Sequence, residues 1–204
     1  MADEPVAAVL LAGGRASRLG GTDKPGITIG GRSLLATVAA AAADAGASRI
    51  IIVGPTRAGL AAGHLEFTSE QPPGAGPVPA LRAGIARVTE PWLLLLAADL
   101  PFLRGRHLRA LLTTAANRQT AGAVLVDGQG RQQWLVSCWR SGPLGWALDE
   151  YDGVSLGGVL GPLRPAEVMI TQEPGEAPPW LDCDTDEDLA AALAFAYPGK
   201  ERTR

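Results

Sequence analysis

Three cations fall within ten residues near the start of the chain: Arg15, Arg18 and Lys24, with Asp23 the one nearby acid. They stand among two glycine pairs, Gly13-Gly14 and Gly20-Gly21. Glycine lets backbone N–H groups approach an anion closely and takes positive φ without a Cβ penalty. Such a loop suits a polyanion, and a triphosphate is the natural candidate. A plain solvated turn carrying surface arginines is the other reading of these residues. Neither common phosphate motif fits. The P-loop needs G-x-x-x-x-G-K-[ST], whereas Lys24 lies between Asp23 and Pro25, and the glycine pairs do not supply G-x-G-x-x-G. A second chemical group is Asp99, which ends the most apolar run in the chain. A carboxylate at the carboxyl end of a buried parallel strand lies where ligands bind in open α/β sheets. It is also a hard-oxygen ligand for Mg²⁺, which takes phosphate oxygens besides. The same aspartate equally serves as a turn or cap before the helix that follows. His64 and His107 are the only histidines, and neither adjoins a promising Ser or Cys, so a hydrolase triad is not expected.

These groups need elements to hold them. The apolar run over 6–12 stops at glycine, as a buried strand feeding a loop does. Gly30-Gly31-Arg32 is a turn, and Ser33 is an N-cap for an alanine-rich helix over 34–45 that ends at Gly46. A β-branched strand over 49–53 completes a βαβ unit. A short helix over 56–63 and a short strand over 64–67 follow. The stretch over 69–79 carries four prolines and two glycines, then turns helix-compatible over 77–86. A glycine-rich turn before a helix N-terminus suits an anion or a base edge, though a linker has the same composition. The run over 92–98 is a central strand, and a helix spans 104–117. Strands over 122–126 and 134–139 flank the turn 127–130. A helix over 144–151, a break at Gly157-Gly158, an edge strand over 166–171 and a loop over 173–179 come next. Thr185 or Asp184 caps a last helix over 187–196, whose first-turn acids suit the helix dipole. The expected architecture is a single-domain, Rossmann-like α/β fold in three layers over residues 1–197. Its mostly parallel sheet carries a nucleotide site at the carboxyl ends of the strands, and 198–204 form a flexible tail.

Composition narrows the function classes. The 204 residues are long enough for a real core, and 47% are hydrophobic. A net charge of −3 argues against general affinity for nucleic acid or anionic membrane, so cations must act locally. Two unclustered cysteines, Cys138 and Cys183, fit a reducing cytoplasm better than a disulfide framework. The N-terminal apolar run is too short for a signal peptide or membrane span. A cytoplasmic monomer or weak homo-oligomer is expected.

The run LAGGRASRLGGTDKP resembles the signature L-A-G-G-x-[SA]-x-R-[ML]-G-x-D-K of the nucleotidyltransferase family that includes the molybdenum cofactor guanylyltransferases. The resemblance implies that Arg18 and Lys24 contact triphosphate oxygens, with Arg15 beside them and Leu11, Ala12, Gly13 and Gly14 along the base and β-phosphate. Gly74, Gly76 and Pro77 match the family segment that helps hold the base. Asp99 matches its metal-binding Asp-x-Pro, which makes Arg18, Lys24 and Asp99 the expected catalytic trio. Asp182 and Asp184 fall where these guanylyltransferases commonly carry asparagines, and as acids they offer further Mg²⁺ ligands. The implied reaction is in-line attack by a terminal phosphate oxygen of molybdopterin on the α-phosphorus of GTP, expelling pyrophosphate. GTP rather than CTP rests on Gly13, because relatives using CTP tend to carry L-A-A-G. Gln132-Gln133-Trp134 departs from the His-Pro pair often found facing the second substrate. The alternatives are a CTP-using enzyme, another phosphorylated acceptor such as a sugar-1-phosphate or phospholactate, and a non-catalytic nucleotide-binding module.

Overall fold

In a computed structural model, described over residues 4–13, 24–57 and 65–197, nine strands and six helices alternate along the chain. They are β1 (Val6–Leu11), β2 (Thr28–Ile29), β3 (Arg32–Ser33), α1 (Leu34–Asp44), β4 (Ala47–Val53), β5 (Leu65–Thr68), α2 (Pro77–Ile85), β6 (Trp92–Ala97) and α3 (Gly105–Arg118). The second half adds β7 (Gly122–Val126), β8 (Gln132–Arg140), α4 (Ser141–Asp149), α5 (Leu156–Leu160), β9 (Ala166–Met169) and α6 (Asp186–Ala196). Seven strands form one sheet in the order β5-β4-β1-β6-β8-β7-β9, and β2 and β3 make a small separate hairpin. Strands β5, β4, β1 and β6 are mutually parallel, as are β7 and β9; only β8 runs against its neighbours. The mostly parallel, three-layer expectation holds.

The continuous apolar runs are explained by burial on both faces. Ala8, Leu10, Ile50, Ile52, Leu94 and Leu96 pack towards α1 and α3. Their alternates Ala7, Val9, Ile51, Val53, Leu93 and Leu95 pack towards α2, α4 and α5. Helix α1 starts as expected: the Ser33 hydroxyl accepts from the Ala36 N–H at 3.2 Å. It ends as expected at Gly46, with φ +98°. Helix α2 lies close on β1 because Gly84 permits it; a Cβ there would stand 2.4 Å from Val9 Cγ1. Cys138 and Cys183 are both buried and not joined in a disulfide, and burial pushes the Cys138 thiol up to about 12. Among the described residues no helix is long and apolar enough to cross a membrane.

The second half departs from expectation in detail. Strand β8 begins at Gln132, two residues early, and lies between β6 and its hairpin partner β7. Helix α4 begins at Ser141, directly after β8, not at 144. Ser-Gly-Pro looks like a turn, but Pro143 occupies the first helical turn, where its missing N–H costs nothing. Gly157-Gly158 is no break but lies inside α5. Both positions are filled by neighbours: a Cβ on Gly158 would stand 2.0 Å from Tyr151 Oη, and one on Gly157 3.2 Å from Trp134 Nε1. Close packing, not chain reversal, accounts for these glycines. The edge strand β9 ends at Met169, short of 171, and Thr185 is the cap of α6. Most of the expected 56–63 helix and the 198–204 tail lie outside the described residues.

Candidate functional site

Strand register gathers the functional segments along one rim. Leu11 pairs with Ala97 on one side and Val53 on the other, so β4, β1 and β6 end together. The ladder continues past the strands: Ala12 N–H donates to the Val53 carbonyl at 2.9 Å, and Ala98 N–H to that of Leu11 at 3.2 Å. Gly54 N–H donates to Thr68 O at 2.8 Å, bringing the end of β5 into the same rim. Backbones are so close here that a Cβ on Gly54 would lie 2.8 Å from the Ala12 carbonyl carbon. Because β8 runs the other way, it enters the sheet where β6 leaves it, and Gln132, Gln133 and Trp134 join this rim. Gly13 is exposed on it, and Asp99 follows β6 on the next strand, half-buried. Gly14, Arg15 and Arg18 lie outside the described residues. Lys24 opens a 3₁₀ turn over Lys24–Gly26, and its side chain likewise lies outside them.

One rim residue was not singled out by sequence reasoning. Glu70 is 6% exposed, and its Oε1 accepts the Gly74 N–H at 2.8 Å. A Cβ on Gly13 would lie 3.5 Å from that same oxygen, so the carboxylate abuts the first glycine of the loop. Two residues past β5, Glu70 carries no local signal that sets it apart from an ordinary loop acid. Gly74, at φ +75°, thus anchors the turn to Glu70. Gly76, at φ +110°, caps α2 without a side chain, and Pro77 takes the first helical position.

A third apolar cluster brings the remaining segments together. Ile29, Leu34, Cys183 and Ala192 form its buried core, with Ile27, Phe102 and Leu181 packed against it. The chain after Lys24, the chain after Asp99 and the chain before α6 therefore meet. Cys183 points into this cluster's core, while Asp182 beside it is exposed and Asp184 half-buried. Arg104 ties down the segment after Asp99: its Nη1 donates to Pro101 O at 3.1 Å and Leu103 O at 2.9 Å. Its backbone N–H donates to His107 Nδ1 at 3.2 Å. Burial, and then the neighbouring Arg106 and Arg104 charges, push His107 down to about 4, so its imidazole is a neutral acceptor that positions this segment.

Among the described residues no group of three or more His, Cys, Asp or Glu side chains gathers to hold a metal. The sequence expectation of Asp99 with Asp182 or Asp184 amounts to a donor set of one or two carboxylates. That suits Mg²⁺, which completes its octahedron with water and phosphate oxygens, better than an ion needing an all-protein cage.

A family model described as MobA-like NTP transferase domain matches residues 8–158. The molybdenum cofactor guanylyltransferase of Rhodopseudomonas palustris (strain HaA2) is 30% identical over 217 residues, covering 96% of this chain and 95% of that one. The protein of the same name from Bradyrhizobium sp. (strain ORS 278) is 32% identical over 200 residues, covering 94% and 93%. Among solved structures, molybdopterin-guanine dinucleotide biosynthesis protein A from Archaeoglobus fulgidus superposes with a TM-score of 0.70 at 14% identity. That match covers 92% of this chain and 96% of the other.

Proposed function

The chain belongs to the MobA-like NTP transferase family of nucleotidyltransferases, and on that footing we propose that it transfers GMP from GTP to a terminal phosphate of molybdopterin, releasing pyrophosphate. The observation that carries the guanine half is Glu70 against Gly13 on the rim. An ionised carboxylate only accepts hydrogen bonds, and guanine offers the paired N1–H and N2–H₂ donors to match it. Cytosine offers such a group only one donor, N4–H₂, beside an N3 acceptor that the second carboxylate oxygen repels. Leu11 to Gly14 and the Gly74–Pro77 turn supply backbone to flank the base and phosphates.

Asp99, with Asp182 or Asp184, would hold Mg²⁺, which supplies neutralisation of triphosphate charge. Arg18 and Lys24 neutralise the charge that develops on the departing pyrophosphate, with Arg15 adding to the field. No protein nucleophile is needed, since phosphoryl-type transfer rests on positioning and charge stabilisation. Arg104 and His107 brace the segment that follows Asp99.

Incubating the protein with Mg²⁺, the molybdopterin acceptor and GTP or CTP tests this directly, with pyrophosphate release as the readout. The expected result is release with GTP and little with CTP. Release with CTP alone would overturn the choice of base. Release only with a sugar-1-phosphate or phospholactate in place of molybdopterin would overturn the choice of acceptor.

A further inference from the structure

A cleft of about 690 Å³ opens between α1, the 101–104 segment, the 175–177 loop and the end of α6. Two guanidinium residues line it from different elements, Arg32 from β3 and Arg104 from the position before α3. Phe102 and Phe195 line it too, edge-to-face, with ring centroids 5.9 Å apart and planes at 70°. Two acids also line the cleft, Asp44 and Glu176, and Glu176 is already paired with Arg106. Among the described residues no carboxylate forms an ion pair with Arg32 or Arg104. Arg104 spends its Nη1 on the Pro101 and Leu103 carbonyls, which are neutral partners. Burial, followed by the charges of Arg106 and Arg32, holds the Arg104 guanidinium below its ordinary value, so these cations crowd one another. Cations crowded at a concave, partly apolar surface create a potential that draws in an anion.

We propose that this cleft, lined by none of the described residues assigned to the nucleotide, is a second anion site in which Arg32 and Arg104 grip a phosphate monoester. The organic part of the ligand rests on Phe102 and Phe195. Guanidinium forks match phosphate oxygens in pairs, and the aromatic edges supply the apolar contact. Free phosphate shares the anionic chemistry and lacks only the ring contact.

Calorimetric titration of the full chain with inorganic phosphate and with phenyl phosphate tests the proposal. An Arg18→Ala, Lys24→Ala background removes the cations of the proposed triphosphate loop, so the result is readable whether or not nucleotidyl transfer is found. Saturable binding is expected, weakened about tenfold or more for both probes by Arg32→Gln, as for a lost charge-assisted contact. Phenyl phosphate is expected to bind more tightly, and Phe195→Leu to remove that advantage alone. Equal affinities that ignore Phe195→Leu would overturn the ring contact and leave free phosphate as the ligand. Titration curves that never saturate, or that are the same with Arg32→Gln as without it, would overturn the site. Because Arg104 also braces its segment, Arg32→Gln is the decisive variant; circular dichroism checks that its fold is kept.

Discussion

Two regions of the sheet meet at the β6–β8 ladder: each buries one bonded carboxylate, Glu70 or Asp127, and they differ in what else the rim exposes. On the β8-β7-β9 side the polar groups are turned inward. Asp127, 6% exposed, accepts from the N–H groups of Gln129 and Arg131, each at 2.9 Å, and from Arg131 Nε and Gln133 Nε2, each at 3.0 Å. Gln132 is committed likewise, to Glu167. On the β5-β4-β1-β6 side the rim instead exposes Gly13 and leaves Asp99 half-buried. Polar groups held within their own hairpin act as structure, whereas exposed backbone at the carboxyl ends of parallel strands lies where ligands bind in open α/β sheets. On the proposed function the nucleotide lies over the parallel half and the antiparallel half braces it.

The most direct way to break that assignment is Asp99→Asn. Removing the charge while keeping the shape is expected to lower pyrophosphate release on the order of 10²–10³-fold, as for loss of one preorganised electrostatic group. Unchanged release would leave the parallel half without its central acid and the assignment without a basis. Glu70→Gln comes next. The amide still accepts from Gly74 but presents a donor to the base, so kcat/KM for GTP is expected to fall about 10–10²-fold while CTP gains relative to it. A purely structural Glu70 would move Tm and leave the ratio of GTP to CTP alone.

The antiparallel half should answer with stability instead of chemistry. Asp127→Ala strips the turn of four hydrogen bonds, and a fall of about 5 °C in Tm is expected at neutral pH. The KM for GTP should stay within about twofold, since the lost bonds all lie within the 127–133 hairpin. A large rise in that KM would mean the turn contributes to the nucleotide site after all.

The same contrast explains what could be read from the sequence. Strands β1, β4 and β6 were legible because burial on both faces demands unbroken apolar runs, and α1 because Ser33 and Gly46 mark its ends. The Asp99 position was legible for the same reason: it stops such a run. Glu70 was not, because nothing local separates an acid that abuts a glycine loop from one in solvent; strand order decides it. The place of β8 was hidden too. A turn at 127–130 predicts that two strands pair, but not that the second inserts beside β6. Gly157-Gly158 misled because glycine needed for room looks identical to glycine needed for a turn.

The smallest expected effect sharpens the parallel half from its flank. His107 is 3% exposed, and its Nδ1 accepts the Arg104 N–H that starts α3, just past the Asp99 segment. Its value in the folded chain is about 4, against about 6.5 when unfolded. Above pH 6.5 both states hold a neutral ring, and the group contributes its full stability. Between 6.5 and 4 the unfolded chain takes up a proton that the folded chain refuses, so stability falls as pH falls. The slope from this one group is at most about 1.4 kcal/mol per pH unit. Below 4 both states are protonated, and the loss from this group stops. His107→Gln keeps an acceptor but cannot titrate, so its Tm should decline less than that of the parent between pH 6.5 and 4, with the curves parallel above pH 7. Coincident curves throughout would mean that the ring is protonated in the folded state as easily as in solvent. The neutral acceptor would then not be what holds α3 and the Asp99 segment in register.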